Sequence, residues 1–395
     1  MEFKNVAFGP TQTTKTHNPD GSILFRLNSD LKPFPKTITD RLLEWSLRQP
    51  EKTFIAQRNQ EGIWQELSYA DTYQQMCSIA QHLLNMGFEG NDTVVILSEN
   101  SLEHALLALA SVHVGIPYSP ISPAYTLVSE DFSKLRHCLE KMTPKLVFVQ
   151  SEQVFERAIR FIENTFPEVD ILVSQGENFP NISSWRQSTI SDAVAQAHQK
   201  VTGDTVAKIL FTSGSTGLPK GVINTQQMWC ANLQQITQSF PFMQEQAPIF
   251  IDWLPWNHTF GGNHNFGLAL HNGGTLYIDD GKPSSKGIEE TVKNLREISP
   301  TAYFNVPKGF EMLIPYLEKE ESLRNTFFKN LQIIFYAGAS LAQPIWNKLE
   351  ELAILTIGVK VPIVTGLGCT ESGPSALFAN WGGAFSGLLG VPVAG

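Results

Sequence analysis

Residues 211–222 read FTSGSTGLPKGV, a run of glycines and hydroxyl side chains that closes on Lys220 between Pro219 and Gly221. Loops of this composition cradle phosphate through backbone N–H groups and a nearby cation. The best-known spelling, G-x-x-x-x-G-K-[ST], does not fit. Counted from Gly214, its second glycine falls on Pro219, and Lys220 is followed by Gly221 where a magnesium-binding hydroxyl belongs. A nucleophile elbow, G-x-S-x-G, fails as well, because Ser213 stands at its first glycine.

Val206–Phe211 before the loop and Gly221-Val-Ile-Asn-Thr after it both read as strand. Helix signals begin only at Asn224, read as an N-cap with Gln227 three residues on. The loop is therefore predicted to join strand to strand, so a helix dipole is not its main anion-binding device. Its means are the amides freed by Gly214 and Gly217, the hydroxyls of Thr212, Ser213, Ser215 and Thr216, and the charge of Lys220. The bland alternative is an ordinary glycine-rich turn.

The rest of the chain supplies a large α/β frame. At 395 residues, with 42% hydrophobic and 17% charged side chains, it buries a sizeable core. A formal charge of −9 gives no overall basic footprint for nucleic acid or anionic membrane. Cys77, Cys138, Cys230 and Cys369 are widely spaced and form no C-x-x-C pair, which points to a reducing compartment. The amino terminus lacks an apolar run of signal-peptide length, and the longest apolar run, 105–116, is too short to span a bilayer. The expected location is cytoplasmic.

Helices and strands alternate from Tyr69 onward. Helices are predicted at 70–86, 102–113, 130–141, 287–298 and 309–317. Strands are predicted at 93–97, 118–121, 146–150, 206–211, 249–253, 275–278 and 332–336. An earlier helix, ITDRLLEWSLRQ, places Leu42, Leu43 and Leu47 on one face, and a polar stretch spans 175–204. The pattern predicts two packed αβαβα-type subdomains with largely parallel sheets, at about 71–224 and 225–380. Residues 1–70 pack on them, and the glycine-rich 381–395 begins a small β subdomain.

Thr212–Gly221 resembles the signature of the adenylate-forming superfamily, roughly [ST]-S-G-[ST]-T-G-x-P-K-G, whose members include acyl-CoA synthetases, peptide-synthetase adenylation domains and firefly luciferase. Other stations resemble that family in order. They are NSLEHALLALASVHVGIPYSPISPAY (100–125), LPWNHTFGG (254–262), YAGASL (336–341) and TGLGCTESGP (365–374). The wording of WNHTFGGNHNFG, GGTLYIDDGKP, FNVPKGFEML and FYAGASLAQPIW is closest to feruloyl-CoA synthases, which join coenzyme A to hydroxycinnamic acids.

The resemblance implies that a carboxylate attacks the α-phosphorus of ATP, pyrophosphate leaves, and the thiol of coenzyme A then takes the acyl group. It implies phosphate contacts from 212–217 and Lys220, and an adenine frame of Gly338, Ala339 and Ser340 with Leu367 and Gly368. Thr370 would meet the α-phosphate, Glu371 would hold Mg2+, and His258 would stand beside the carboxylate. Phe260, Gly261, His264 and Gly366 would line the acyl pocket, where the glycines leave room for a planar ring.

Packing competes with function at several of these positions. Trp253, Trp256 and Phe260 read equally as core aromatics. His258, His264 and His271 lack the spacing of a metal set, and Lys208 and Lys282 read as surface charges. Leu367 stands where the family often carries an aromatic residue against the adenine. The T-G-D at 202–204 and the G-K at 281–282 lie upstream of where the family keeps its ribose clamp and catalytic lysine. The chain is thus expected to be the large amino-terminal domain of a longer synthetase, without its mobile carboxyl-terminal domain and poorly active alone. The alternatives are a synthetase for another aromatic or a fatty acid, or a catalytically silent nucleotide-binding fragment. A membrane span and a nucleic-acid partner are not expected.

Overall fold

A computed structural model describes residues 2–213 and 217–395. The chain opens with an exposed hairpin of β1 (Thr13–His17) and β2 (Ile23–Leu27), followed by α1 (Ile38–Arg48). Thr37 caps α1 in a reciprocal pair with Asp40, satisfying two donors of the first turn. Ile38, Thr39 and Leu42 form its buried face, whereas Leu47 is 75% exposed. Trp45 fills the contact expected of Leu47, with its indole N–H on Leu270 O at 2.9 Å. Strands β3 (Thr53–Arg58) and β4 (Trp64–Ser68) follow as an antiparallel pair.

The alternating region runs α2 (Tyr69–Asn85), β5 (Val94–Leu97), α3 (Leu102–His113), β6 (Tyr118–Pro120), α4 (Ser133–Met142), β7 (Leu146–Ser151), α5 (Glu156–Thr165) and β8 (Asp170–Gln175). The polar stretch then contains two helices that periodicity did not reveal, α6 (Ile182–Trp185) and α7 (Asp192–Lys200). Val194 is the one buried residue of α7, too little for an apolar stripe. β9 (Val206–Thr212) and β10 (Lys220–Thr225) close this part. The sheet order is β10-β9-β6-β5-β7-β8, parallel except for β10, which runs antiparallel to β9. The opening loop thus joins strand to strand, with Thr212 paired to Lys220.

Next come α8 (Gln226–Ser239), α9 (Phe242–Glu245) and β11 (Ile249–Asp252), then a π-helical turn (Phe260–Asn265) that runs directly into α10 (Phe266–His271). The N-cap of α8 is Thr225, which accepts the Met228 N–H, and not Asn224. Asn224 is buried in β10 and accepts from the Asn263 amide at 2.7 Å. β12 (Thr275–Ile278) completes a second sheet, β11-β12-β3-β4, to which the amino-terminal strands contribute the edge.

The remaining elements are α11 (Gly287–Glu297), β13 (Ala302–Asn305), α12 (Pro307–Lys319), α13 (Glu321–Lys329), β14 (Ile333–Tyr336), α14 (Gln343–Ile357), β15 (Ile363–Gly368), β16 (Ser375–Ala379) and β17 (Val391–Pro392). The third sheet follows chain order from β13 to β17, parallel through β15 and antiparallel after it. It meets the second sheet through Thr301 N–H on Ile249 O at 2.9 Å. The result is a mixed α/β fold with largely parallel sheets, in which runs such as VVIL and IIFY are buried on both faces. Among the described residues no helix is long and apolar enough to cross a membrane.

Candidate active site

A cleft of about 880 Å³ opens where the carboxyl ends of β9, β14 and β15 face the π-helical turn. Loops at strand ends collect there because the interior of each sheet is already filled by apolar side chains.

Thr212 and Ser213 line the cleft from the end of β9. Gly214, Ser215 and Thr216 lie outside the described residues. Gly217 has φ +86, a conformation that favours glycine, and is exposed. Lys220 is not brought into the cleft. It borders a separate hollow beside His137, Leu218 and Ile223. Gly338, Ala339 and Ser340 line the opposite wall, in the exposed loop after β14.

Gly366, Leu367, Gly368, Thr370 and Glu371 form the third side, and Leu367 shows its aliphatic side chain at 46% exposure. A Cβ on Gly368 would stand 1.8 Å from Pro374 O, which is why the strand can turn sharply there. Cys369 N–H bonds Pro374 O at 3.0 Å and leads into a short 3₁₀ turn, Thr370–Ser372. That turn buries Thr370 and leaves Glu371 exposed. Glu371 is the one carboxylate among the described residues of the wall.

His258 presents its ring to the cleft. The Phe260 N–H donates to its Nδ1 at 3.2 Å, so the second proton position, Nε2, faces outward as a donor. Its outer surface is open, yet the walls strip enough water from the ring to lower its pKa, so it is neutral at pH 7.

Phe260 and His264 also line the cleft, with Phe335 and Phe378 behind them. Gly261 does not. A Cβ there would lie 2.3 Å from Leu254 O, and one on the adjacent Gly262 2.3 Å from Trp256 O. These glycines let the π-helical turn press on the backbone before it; the sequence reading expected them to make room for a planar ring, and they do not. Gly366 does face the cleft side, where a Cβ would meet the Phe378 ring at 2.8 Å. Trp256 belongs to the core, edge-on to His104 at 5.0 Å, whereas Phe260 serves both core and cleft.

Sequence reading missed three buried ionisable side chains, Lys208, Asp252 and Asp279. Lys208 is fully buried and not a surface charge. It sits between Tyr118 of β6 and Asn224 of β10 in the sheet register, with its Nζ on Gly262 O at 3.2 Å. Burial lowers its pKa well below the ordinary lysine value. Asp252, at the end of β11, is pushed up to about 8 by burial. Asp279 beside it is pushed up to about 6 and is held by Thr291, Asn294 and the Gly281 N–H. The available signal was a lone charge in an apolar strand, as in AKILF and IFID. Lys282 does lie at the surface, paired with Glu99 at 2.8 Å. Among the described residues no three His, Cys, Asp or Glu side chains converge as a metal cluster.

The family model described as AMP-binding enzyme matches residues 42–395. The nonribosomal peptide synthetase sidE of Aspergillus fumigatus is 27% identical over 320 residues, 80% of this chain but 14% of that protein. A long-chain-fatty-acid–CoA ligase, ACSBG2 of Xenopus laevis, is 22% identical over 77% of this chain and 42% of its own length. The chain thus spans less than half of either of these curated relatives. Among solved structures, the anthranilate CoA ligase AuaEII in complex with anthranoyl-AMP superposes with a TM-score of 0.71 at 16% identity, over 92% of this chain and 64% of that one. At that identity the likeness bears on the fold alone.

Proposed function

Because the chain belongs to the AMP-binding enzyme family, we propose that it supplies the adenylation site of an ATP-dependent acid–thiol ligase acting on an aromatic, ferulate-like hydroxycinnamic acid. The observation that carries this reading is the convergence in one cleft of Thr212–Ser213, His258, Gly338–Ser340, Thr370–Glu371 and an aromatic wall.

In the proposed reaction a carboxylate oxygen attacks the α-phosphorus of ATP, and the bond to the β-phosphate bridging oxygen breaks. Pyrophosphate carries away that electron pair, leaving an acyl adenylate. The thiol of coenzyme A then attacks the acyl carbon, losing its proton, and AMP leaves. Such displacements gain most from positioning and from donors aimed at developing charge. The hydroxyls of Thr212 and Ser213 would hold the outgoing phosphates. The Nε2–H of neutral His258 would hold the carboxylate or an α-phosphate oxygen without competing for a proton. The loop at 338–340 and the aliphatic face of Leu367 would flank the adenine.

Glu371 fits a magnesium site of the kind completed by substrate phosphates and water, since such sites need only one or two protein carboxylates. A bound Mg2+ would supply charge neutralisation on the phosphates. The aromatic wall of Phe260, Phe335 and Phe378 supports an aryl acyl group. The likeness to a long-chain-fatty-acid–CoA ligase favours an alkyl acid as second reading.

The test is pyrophosphate release by the whole protein with ATP and a panel of acids. Hydroxycinnamates are expected to lead the panel. A lead for long alkyl acids would replace the aromatic reading with the fatty-acid one, and no release with any acid would remove both.

A further inference from the structure

His264 is a polar side chain set in an apolar box. It is 2% exposed, and its ring packs against Phe260, Phe304, Phe335 and Phe378 at centroid distances of 5.5, 5.1, 5.4 and 6.5 Å. Its Nδ1 lies 2.8 Å from Asn265 Oδ1, while Nε2 is buried with no hydrogen-bond partner among the described residues.

The two nitrogens are assigned by what surrounds them. A carboxamide oxygen only accepts, so Nδ1 must carry the proton. Burial keeps the ring neutral, with its pKa lowered to about 4, so Nε2 holds a lone pair and not a second proton. The orientation of the Asn265 amide follows from its other neighbour. Its side chain lies beside the carboxyl of Asp252, whose carbonyl oxygen accepts from an NH₂ group in the protonated as in the ionised form, although Asp252 Oδ2 and Asn265 Nδ2 do not complete a well-formed hydrogen bond. Turning the NH₂ group toward the acid leaves Oδ1 for His264. Asp252 is itself anchored by the Leu254 N–H at 3.2 Å.

An acceptor left unpaired in such a box is unfavourable, because it has given up water and gained no donor. Phenylalanine would fill the same space without that cost. Resting on the reading of the cleft as an acyl site, we propose that His264 determines substrate specificity, with its Nε2 accepting a hydrogen bond from a hydroxyl group on the aromatic acyl group. Asp252 and Asn265 are the positioning residues that hold the accepting tautomer. The favoured class is then ring-hydroxylated aromatic acids. A site built to pair a hydroxyl discriminates against the analogue that lacks it, because its own buried group is left unpaired. A methyl ether, which cannot donate, gains nothing at an acceptor.

The test uses non-hydrolysable sulfamoyl-adenosine analogues of the acyl adenylate, titrated against this chain by calorimetry. The set is cinnamoyl, its 2-, 3- and 4-hydroxy isomers, and the matching methoxy compounds. At least one hydroxy isomer is expected to bind about tenfold or more tighter than the cinnamoyl parent. Its methoxy partner should fall back to the parent, and His264→Phe should collapse the hydroxy-to-parent ratio toward one. A ¹⁵N-histidine spectrum of the unsubstituted protein gives a readout that needs no variant to fold. It should show the Nδ1–H tautomer at His264, with the Nε2 signal moving when the hydroxy analogue binds.

Binding of the analogues without hydroxyl preference, equal binding of hydroxy and methoxy forms, or an Nε2–H tautomer would overturn the role of His264 and leave the acyl-adenylate reading standing. Failure of every analogue to bind would overturn both.

Discussion

Nζ of Lys208 lies 3.3 Å from the centroid of the Trp229 ring and donates to Gly262 O at 3.2 Å. One side chain on the strand that leads into the 211–222 loop thereby grips the π-helical turn carrying Phe260 and His264. The Trp229 indole reaches the same turn through Asn263 O at 3.0 Å. The strand leading into the 211–222 loop and the π-helical turn are therefore tied together from inside the core.

Lys208 is predicted to make stability rise with pH. Its folded pKa is depressed, so from that value up to about 10.5 the unfolded chain binds the extra proton. The contribution is complete above the unfolded pKa and is lost as pH falls. Lys208→Met should fold and flatten the rise of urea midpoint between pH 7 and 10. An unchanged slope in this variant would mean that the amine is not the group responsible.

Asp252 works in the opposite direction. Its folded pKa, about 8, is raised from 3.8, so its contribution is complete below the unfolded value and is lost as pH rises through 8. Within that window the loss runs at up to about 1.4 kcal/mol per pH unit. Asp252→Asn should hold its urea midpoint better than the natural chain between pH 5 and 8. A steeper fall in the variant would contradict the assignment.

Gly261→Ala is predicted to lower the thermal midpoint sharply, since its methyl would sit 2.3 Å from Leu254 O and 2.6 Å from Pro255 O. Backbone cannot yield as a flexible side chain does, and a cost of at least about 2 kcal/mol is expected. Gly217→Ala meets nothing among the described residues within 4 Å and there carries only the strain of its φ, so its loss should be smaller. Differential scanning calorimetry of the two variants compares them directly, and equal losses would refute the packing argument.

His258→Ala and Glu371→Gln address the proposed chemistry. Each is expected to reduce pyrophosphate release by the whole protein by roughly 10- to 100-fold, mainly in kcat, with melting behaviour unchanged. A change confined to KM for the acid would make His258 a binding contact alone.

Much of the frame was legible from local pattern. Val94–Leu97 and Ile333–Tyr336 are unbroken apolar runs, and Leu102–His113 begins at a Ser101 cap, so each announces itself within its own residues. Asp192–Lys200 was not legible, because a surface helix with one buried residue has no apolar period. Leu47 misled for a related reason. Helical spacing places it beside Leu43, but the neighbouring chain covers Trp45 and leaves Leu47 bare.

By itself the sequence determined the α/β alternation, the strand-to-strand character of the 211–222 loop, and the set of motifs that the cleft gathers. These depend on the composition of short segments and on backbone preference, which neighbours in sequence control. Only the tertiary structure decided that Lys208 and Asp252 are buried, that Lys220 lies outside the cleft, and that Gly261 serves packing. It alone left Nε2 of His264 without a partner among the described residues. Burial and hydrogen-bond partnership depend on residues far apart in the chain, such as Lys208 with Gly262, and no local pattern encodes which of them will meet.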